Sequence, residues 1–318
     1  MPEAARTRFS RTAWGALGMC LALGCSSSGP APSHRPSNDA DGGESPKLDH
    51  FSFFVTSLRA LQELSGSQNG FGGDLRFGET GEGAGLRGAD SICTAIAEMS
   101  MPGARAKTWR AFLSASTGGD GDGPIHAIDR IGKGPWYDRI GRVVALTKED
   151  LQEQRPRNAD PAIAEDLPNE EGVPNHAPDP TAGQVDNHDV LTGSTVQGLY
   201  YGDTRSTCLD WTSVVGSDGA PRVGHSWSRN GFPGIPGFAF PEGGLPPGFP
   251  GFPGSAGADG GGGFGAFLRD FNSWASALTE AGCAAGVNLV EMGPPNPSNP
   301  TVGSGGGYGA FYCFALTP

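Results

Sequence analysis

The chain is short of positive charge: 22 Lys and Arg stand against 34 Asp and Glu, a formal net charge of −12 over 318 residues. A mean field of that sign repels polyanions, so neither nucleic acid nor heparin-like polymers are expected as partners. Zinc-cluster spacing is missing too, because none of the six cysteines belongs to a Cys-x-x-Cys pair. Beyond the first 25 residues no apolar run reaches the roughly 20 residues of a membrane-spanning helix.

What is abundant is glycine and proline. With 53 Gly and 27 Pro, a quarter of the chain is poor at building helix or strand, so one core with long loops is expected rather than two domains. The start reads as an export signal: Arg6, Arg8 and Arg11 are followed by an apolar run from Ala13 to Leu23 that ends at Gly24-Cys25. Leu21 to Ser26 resembles a lipobox, with Leu four places before Cys25 where three is commoner. Cys20 is a poorer acceptor, since Met19 precedes it; an ordinary secretory signal with an incidental cysteine is the alternative. Residues 1–24 are therefore expected to be removed, Cys25 to carry lipid, and the chain to reach the outer membrane or cell surface. Removing three Arg and one Glu with that segment moves the charge from −12 to −14.

Residues 25–50 are small, polar and proline-bearing, a composition that reads as a flexible tether. Strands are expected within Phe51–Ser57, Lys107–Ser114, Arg142–Leu146, Ser206–Trp211 and Ala310–Leu316, which are aromatic or β-branched. Arg87–Met99 fits a helix, with Ile92, Cys93, Ile96 and Met99 on one face. Phe267, Phe271, Trp274 and Leu278 fall at helical spacing as well. Two stretches read as insertions. One is 147–189, with eleven acidic and three basic residues and hence a solvated loop; the other is the Gly/Pro/Phe tract 231–263, whose collagen-like triplets are too short for a triple helix.

The mature chain keeps Cys93, Cys208, Cys283 and Cys313. An even count in an exported protein implies disulfides, and spacing alone leaves three connectivities open.

Several segments carry a family likeness in order: Gly88-Ala89-Asp90, Cys93, Trp109 to Ser114, Ala127-Ile128-Asp129-Arg130, Asp189-Val190-Leu191-Thr192, Cys208-Leu209-Asp210-Trp211 and Tyr312-Cys313-Phe314. Residues 51–318 thereby resemble endostatin, a C-type-lectin-like domain found at the end of certain collagens. The resemblance implies an α+β fold: a twisted, mainly antiparallel sheet with flanking helices, long loops, adjacent first and last strands and two nested disulfides, Cys93 with Cys313 and Cys208 with Cys283. It implies no ligand. The arginine clusters that bind heparin and the N-terminal histidines that bind zinc in endostatin have no counterpart here. Glu-Pro-Asn, Gln-Pro-Asp and Trp-Asn-Asp, the calcium and sugar tripeptides of lectins, are also absent.

Candidate chemistry is thin. Gly83 to Gly88 satisfies GxGxxG, but no apolar strand precedes it, so a turn entering a helix is the plainer reading. Gly224 to Ser228 looks like a nucleophile elbow that lacks its final glycine. His176, Asp179, Asp186 and His188 could gather on a metal but sit in a proline-bearing loop with nothing rigid to fix them. No catalytic residue, metal ligand or cofactor is therefore assigned. Asp129, Arg130, Trp136, Tyr137, Asp138 and Arg139 are the candidate ligand-binding residues, since rings beside charges suit sugar or peptide recognition. The competing reading is a structural corner in which the Asp–Arg pairs brace loops and Trp136 plugs the core. Function is expected to be non-catalytic binding of an extracellular polymer or protein, the alternative being a secreted hydrolase of envelope glycan or peptide that uses His126 or His225.

Overall fold

The computed structural model describes residues 50–118, 123–176, 186–228, 272–290 and 294–318. Cys25, the signal segment, nearly all of the tether, the 231–263 tract, Asp179, Phe267 and Phe271 lie outside them. The elements are β1 (Phe53–Val55), α1 (Leu58–Ser65), α2 (Ala84–Ser100), β2 (Trp109–Ala111), α3 (Ala127–Arg130), β3 (Trp136–Tyr137), β4 (Val143–Ala145), α4 (Lys148–Leu151), β5 (Asp189–Leu191), β6 (Arg222–His225), β7 (Leu278–Thr279) and β8 (Gly307–Ala315). The result is a mixed α and β protein with few helices. Among the described residues no helix is long and apolar enough to cross a membrane.

Nine consecutive buried residues make β8 the centre of the main sheet, whose order is β1-β8-β5-β6-β7. Burial on both faces removes the alternation of a half-exposed strand, which is why Gly307 to Ala315 is apolar or glycine nearly throughout. β1 and β2 both pair antiparallel with its C-terminal half, through Phe53↔Phe314 and Trp109↔Ala315, while β5 runs parallel to its first half. The first and last strands are thus adjacent. β3 and β4 form a separate two-stranded sheet.

Ile92, Cys93, Ile96 and Ala97 form the buried stripe of α2, Met99 standing exposed instead of joining it, and Cys93 bonds Cys313 of β8, tying the longest helix to the central strand. Cys208 bonds Cys283, so the two disulfides are nested in the chain as the family likeness implies. A second helix, α1, was not expected; it is capped by Ser57, whose hydroxyl accepts from Ala60 N, and ended by Gly66 at φ +67°.

Three expectations change. Residues 206–211 are not a strand: a 3-10 turn over Thr204–Thr207 runs into four residues, Cys208, Leu209, Asp210 and Trp211, all at φ between +50° and +64°. Side-chain period misled there, because tertiary ties impose the left-handed turn. Asp210 accepts from Ser116 N (2.7 Å) and Oγ (2.5 Å), and Trp211 Nε1 donates to Ser114 O (2.7 Å). No helix forms at 272–278, where Trp274 is a core plug packed on Phe112 and Tyr312 and Leu278 enters β7. The acidic stretch beginning at Thr147 is built into the domain, with Leu151, Ile163 and Leu167 buried. Its carboxylates are satisfied locally: Asp150 closes a capping box with Thr147, and Glu170 accepts from Ser57 N (2.9 Å) and Oγ (2.5 Å).

Candidate functional site

The six residues singled out for recognition do not form one exposed face. Trp136 is 1 % exposed; its ring stands edge-on to Phe314 at 5.4 Å and its Nε1 donates to Ala315 O at 3.2 Å. Asp138 is fully buried and accepts from Arg142 N (2.8 Å) and Nε (2.7 Å), so its ion pair is with Arg142 rather than Arg139. Arg139 turns instead to Ser100, donating to its hydroxyl (2.8 Å) and carbonyl (3.0 Å). Arg130 grips the Asp90 carboxylate of α2 at 2.7 and 2.8 Å, leaving Asp129 exposed beside it. Tyr137 stacks on His50 at 4.9 Å and is half-buried. The arrangement is the structural corner, with different Asp–Arg partners from those adjacent in sequence.

The other motifs are structural as well. A Cβ on Gly85 would stand 2.2 Å from Asp210 O, and one on Gly88 2.1 Å from Leu75 O, so these glycines of the GxGxxG run let α2 close on its neighbours. Ser226 Oγ accepts from Asn175 Nδ2 (2.9 Å), and His126 Nδ1 accepts from Tyr200 N (2.9 Å), which engages both in packing.

What the fold does bring together is a buried set of imidazoles and carboxylates. β5 opens with Asp189 and β6 closes with His225, and the two face each other in antiparallel register, which puts their side chains on one face. His188 precedes Asp189; its ring meets that of His225 edge-to-face at 4.1 Å. Asp189 Oδ1 lies 3.3 Å from His188 Nε2 and 3.2 Å from His225 Nε2. Asp186 holds His188 from the other side through Nδ1. Glu280, just past β7, accepts through Oε2 from Gly305 N (2.9 Å) and Ser304 Oγ (3.1 Å).

All five residues are at most 3 % exposed. Burial holds His188 below the ordinary imidazole range, against the opposing pull of Asp189. Burial also drives Glu280 well above the ordinary carboxylate range, and the neighbouring Asp189 charge adds to the rise. The run Gly303 to Gly307 closes over the carboxylates: a Cβ on Gly306 would lie 2.7 Å from Asp186 Oδ1, and one on Gly305 2.8 Å from Asp189 Oδ2. On the outer side, Trp227 packs on His188 at 5.1 Å and carries the exposed His176 stacked at 3.8 Å.

Of the four residues weighed as metal ligands from sequence, Asp186 and His188 do meet, on a rigid strand end rather than in a solvated loop. His176 lies across Trp227. Asp189 and Glu280 were missed and His225 was weighed only for a hydrolase, because strand pairing and not spacing assembles the cluster; the local signal was a His-Asp pair opening an apolar strand. His188, Asp189 and His225 each offer a donor atom within 4.8 Å of the others, so the cluster is able to hold a metal ion.

A different surface carries an open cleft. Phe71 and Phe77, edge-to-face at 5.8 Å, line an open cleft of about 450 Å³ with Asp74, Arg76 and Val214. The left-handed turn adjoins it, since Leu75 N donates to Trp211 O at 2.9 Å, and Leu209, Val214 and Val215 stand exposed around it. No protein-family model matches the chain and no curated protein matches it significantly, so its functional reading rests on residues and geometry.

Proposed function

We propose that this chain is an exported lipoprotein, anchored through Cys25 at the outer membrane or cell surface, which displays an endostatin-like, C-type-lectin-like domain that binds an extracellular polymer or protein without altering it. The observation that carries the binding reading is the left-handed turn Cys208–Trp211. Each non-glycine residue held in that region costs on the order of 1 kcal/mol. Strain of that size is retained where surrounding contacts over-determine it, and it concentrates at ligand-contacting positions. Here it lifts Leu209 into solvent, while Trp211 O of the same turn accepts from Leu75 N, between Asp74 and Arg76 of the Phe71–Phe77 cleft. Two imidazoles that could serve a hydrolase, His188 and His225, are buried among the described residues. The acidic balance favours neutral or basic ligands.

The test is a glycan, envelope-polymer and peptide binding array probed with residues 45–318, which form one compact unit. Replacing Phe77 by Ala together with Leu209→Asn is expected to abolish the binding found while moving the melting temperature little, since both side chains are about 40 % exposed and Asn tolerates the left-handed region. Unchanged binding by that variant moves the site elsewhere, and turnover of any arrayed polymer overturns the non-catalytic reading. The anchor is read from the native protein: mass spectrometry is expected to find diacylglycerol on Cys25 as the first residue, and an unmodified terminus removes it.

A further inference from the structure

We propose that His188 Nε2, His225 Nε2 and Asp189 Oδ1 form a buried structural site for one divalent transition-metal ion, zinc by ligand chemistry, with Asp186 orienting His188.

The distances carry the case. Donors bonded to tetrahedral zinc at ~2.0–2.1 Å stand about 3.3 Å from one another. Asp189 Oδ1 lies 3.3 and 3.2 Å from the two imidazole Nε2 atoms, and all three donors fall within 4.8 Å. The shell behind them fits as well. Asp186 meets His188 at Nδ1, which fixes the tautomer that turns the Nε2 lone pair inward, the carboxylate–histidine–metal arrangement. That Nε2 atom is buried and makes no hydrogen bond. The point where a Cβ on Gly305 would sit is 2.8 Å from Asp189 Oδ2 and 3.5 Å from Glu280 Oε1, so the glycine backbone closes directly over these carboxylates.

Charge points the same way. Three carboxylates and two imidazoles share one dry volume, and burying charges without compensation is strongly unfavourable. The nearby guanidinium of Arg155 directs its donors to the carbonyls of Ala164, His225 and Ser226 rather than to the carboxylates. A dication at the centre balances negative charge in that volume. Two nitrogen donors with one or two carboxylates suit zinc over calcium or magnesium, which prefer oxygen alone. A site closed on all sides is a structural one, since catalytic zinc keeps a position open.

The experiment is metal analysis of the full mature chain, expressed with export in zinc-replete medium and washed free of loosely held ions. One zinc per chain is expected, with a lower melting temperature after chelation and recovery when zinc returns. Cobalt substitution is expected to give the intense visible bands of four-coordinate Co2+. Asp186→Asn is expected to weaken metal affinity by ~10–100-fold while leaving the fold intact; His225→Ala is expected to abolish it. His176→Ala, on the outer side of Trp227, is expected to leave the metal content unchanged and so excludes surface capture. A folded wild-type chain that holds no metal, and whose melting temperature responds neither to zinc nor to chelator, overturns the proposal. So does zinc lost on His176→Ala but kept by His225→Ala. These readouts need no extracellular ligand, so they stand apart from the binding reading.

Discussion

Removing the Cys93–Cys313 bond by the double substitution Cys93→Ala and Cys313→Ala is expected to lower the melting temperature by ~10–20 °C. The bond closes a separation of 220 residues. In the chain-entropy account a loop of that length restricts the unfolded ensemble by about 5 kcal/mol, and a domain of this size shifts by roughly 2–4 °C per kcal/mol. The location argues for the full effect. Cys313 sits in β8 opposite Phe54 on one side and Ala111 on the other, so the bond fastens α2 to the strand on which two sheet registers depend. The second bond is expected to behave differently. Cys208 opens the left-handed turn, and without Cys283 that turn can relax toward ordinary backbone, recovering part of the loss. Thermal unfolding of the two double variants checks both statements; a shift below about 2 °C for the Cys93/Cys313 pair would mean that packing alone holds α2 on the sheet.

Much of the fold was legible because local pattern and tertiary environment agree there. The three-and-four spacing of Ile92, Cys93 and Ile96 reports a helix that does bury that stripe, and the aromatic runs around Phe53 and Phe311 report strands that do lie in the core. Where they disagree, tertiary contacts win. Leu209 and Trp211 read as β-prone, but Asp210 anchored on Ser116 and Trp211 anchored on Ser114 bend the chain left-handed. Charge density misled over 147–176 for a related reason: carboxylates such as Asp150 and Glu170 are internal because each has hydrogen-bond donors built around it, and a count of charges carries no information about donors. The His–carboxylate cluster was the hardest part. Its members come from the ends of three sheet strands, with a glycine run near the C-terminus closed over them, and only the β5–β6 register brings Asp189 to His225. The disulfide pairing came from family likeness and not from spacing, which left every connectivity open.

Replacing Trp136 by Ala is expected to destabilise the protein by ~3–5 kcal/mol, the range for truncating a buried aromatic ring. The indole stands edge-on to Phe314 in the aromatic layer that also holds Phe112, Trp274 and Tyr312, so its loss opens a cavity where neighbours are already packed. The close approach of Gly134, whose Cβ would meet the ring at 3.0 Å, shows how little room there is for collapse by side-chain shift alone. Trp136→Phe keeps most of the buried area but leaves the Ala315 carbonyl without the indole donor, and it is expected to cost about 1–2 kcal/mol. Tyr137 is the internal control. Its ring is half-buried on His50, so Tyr137→Ala is expected to cost no more than ~1 kcal/mol. Denaturant unfolding of the three variants separates the two readings of this corner, because a recognition surface predicts small and similar shifts for Trp136→Ala and Tyr137→Ala. A large gap between them assigns Trp136 to the core, and a folded Trp136→Ala variant with near wild-type stability returns the ring to the surface.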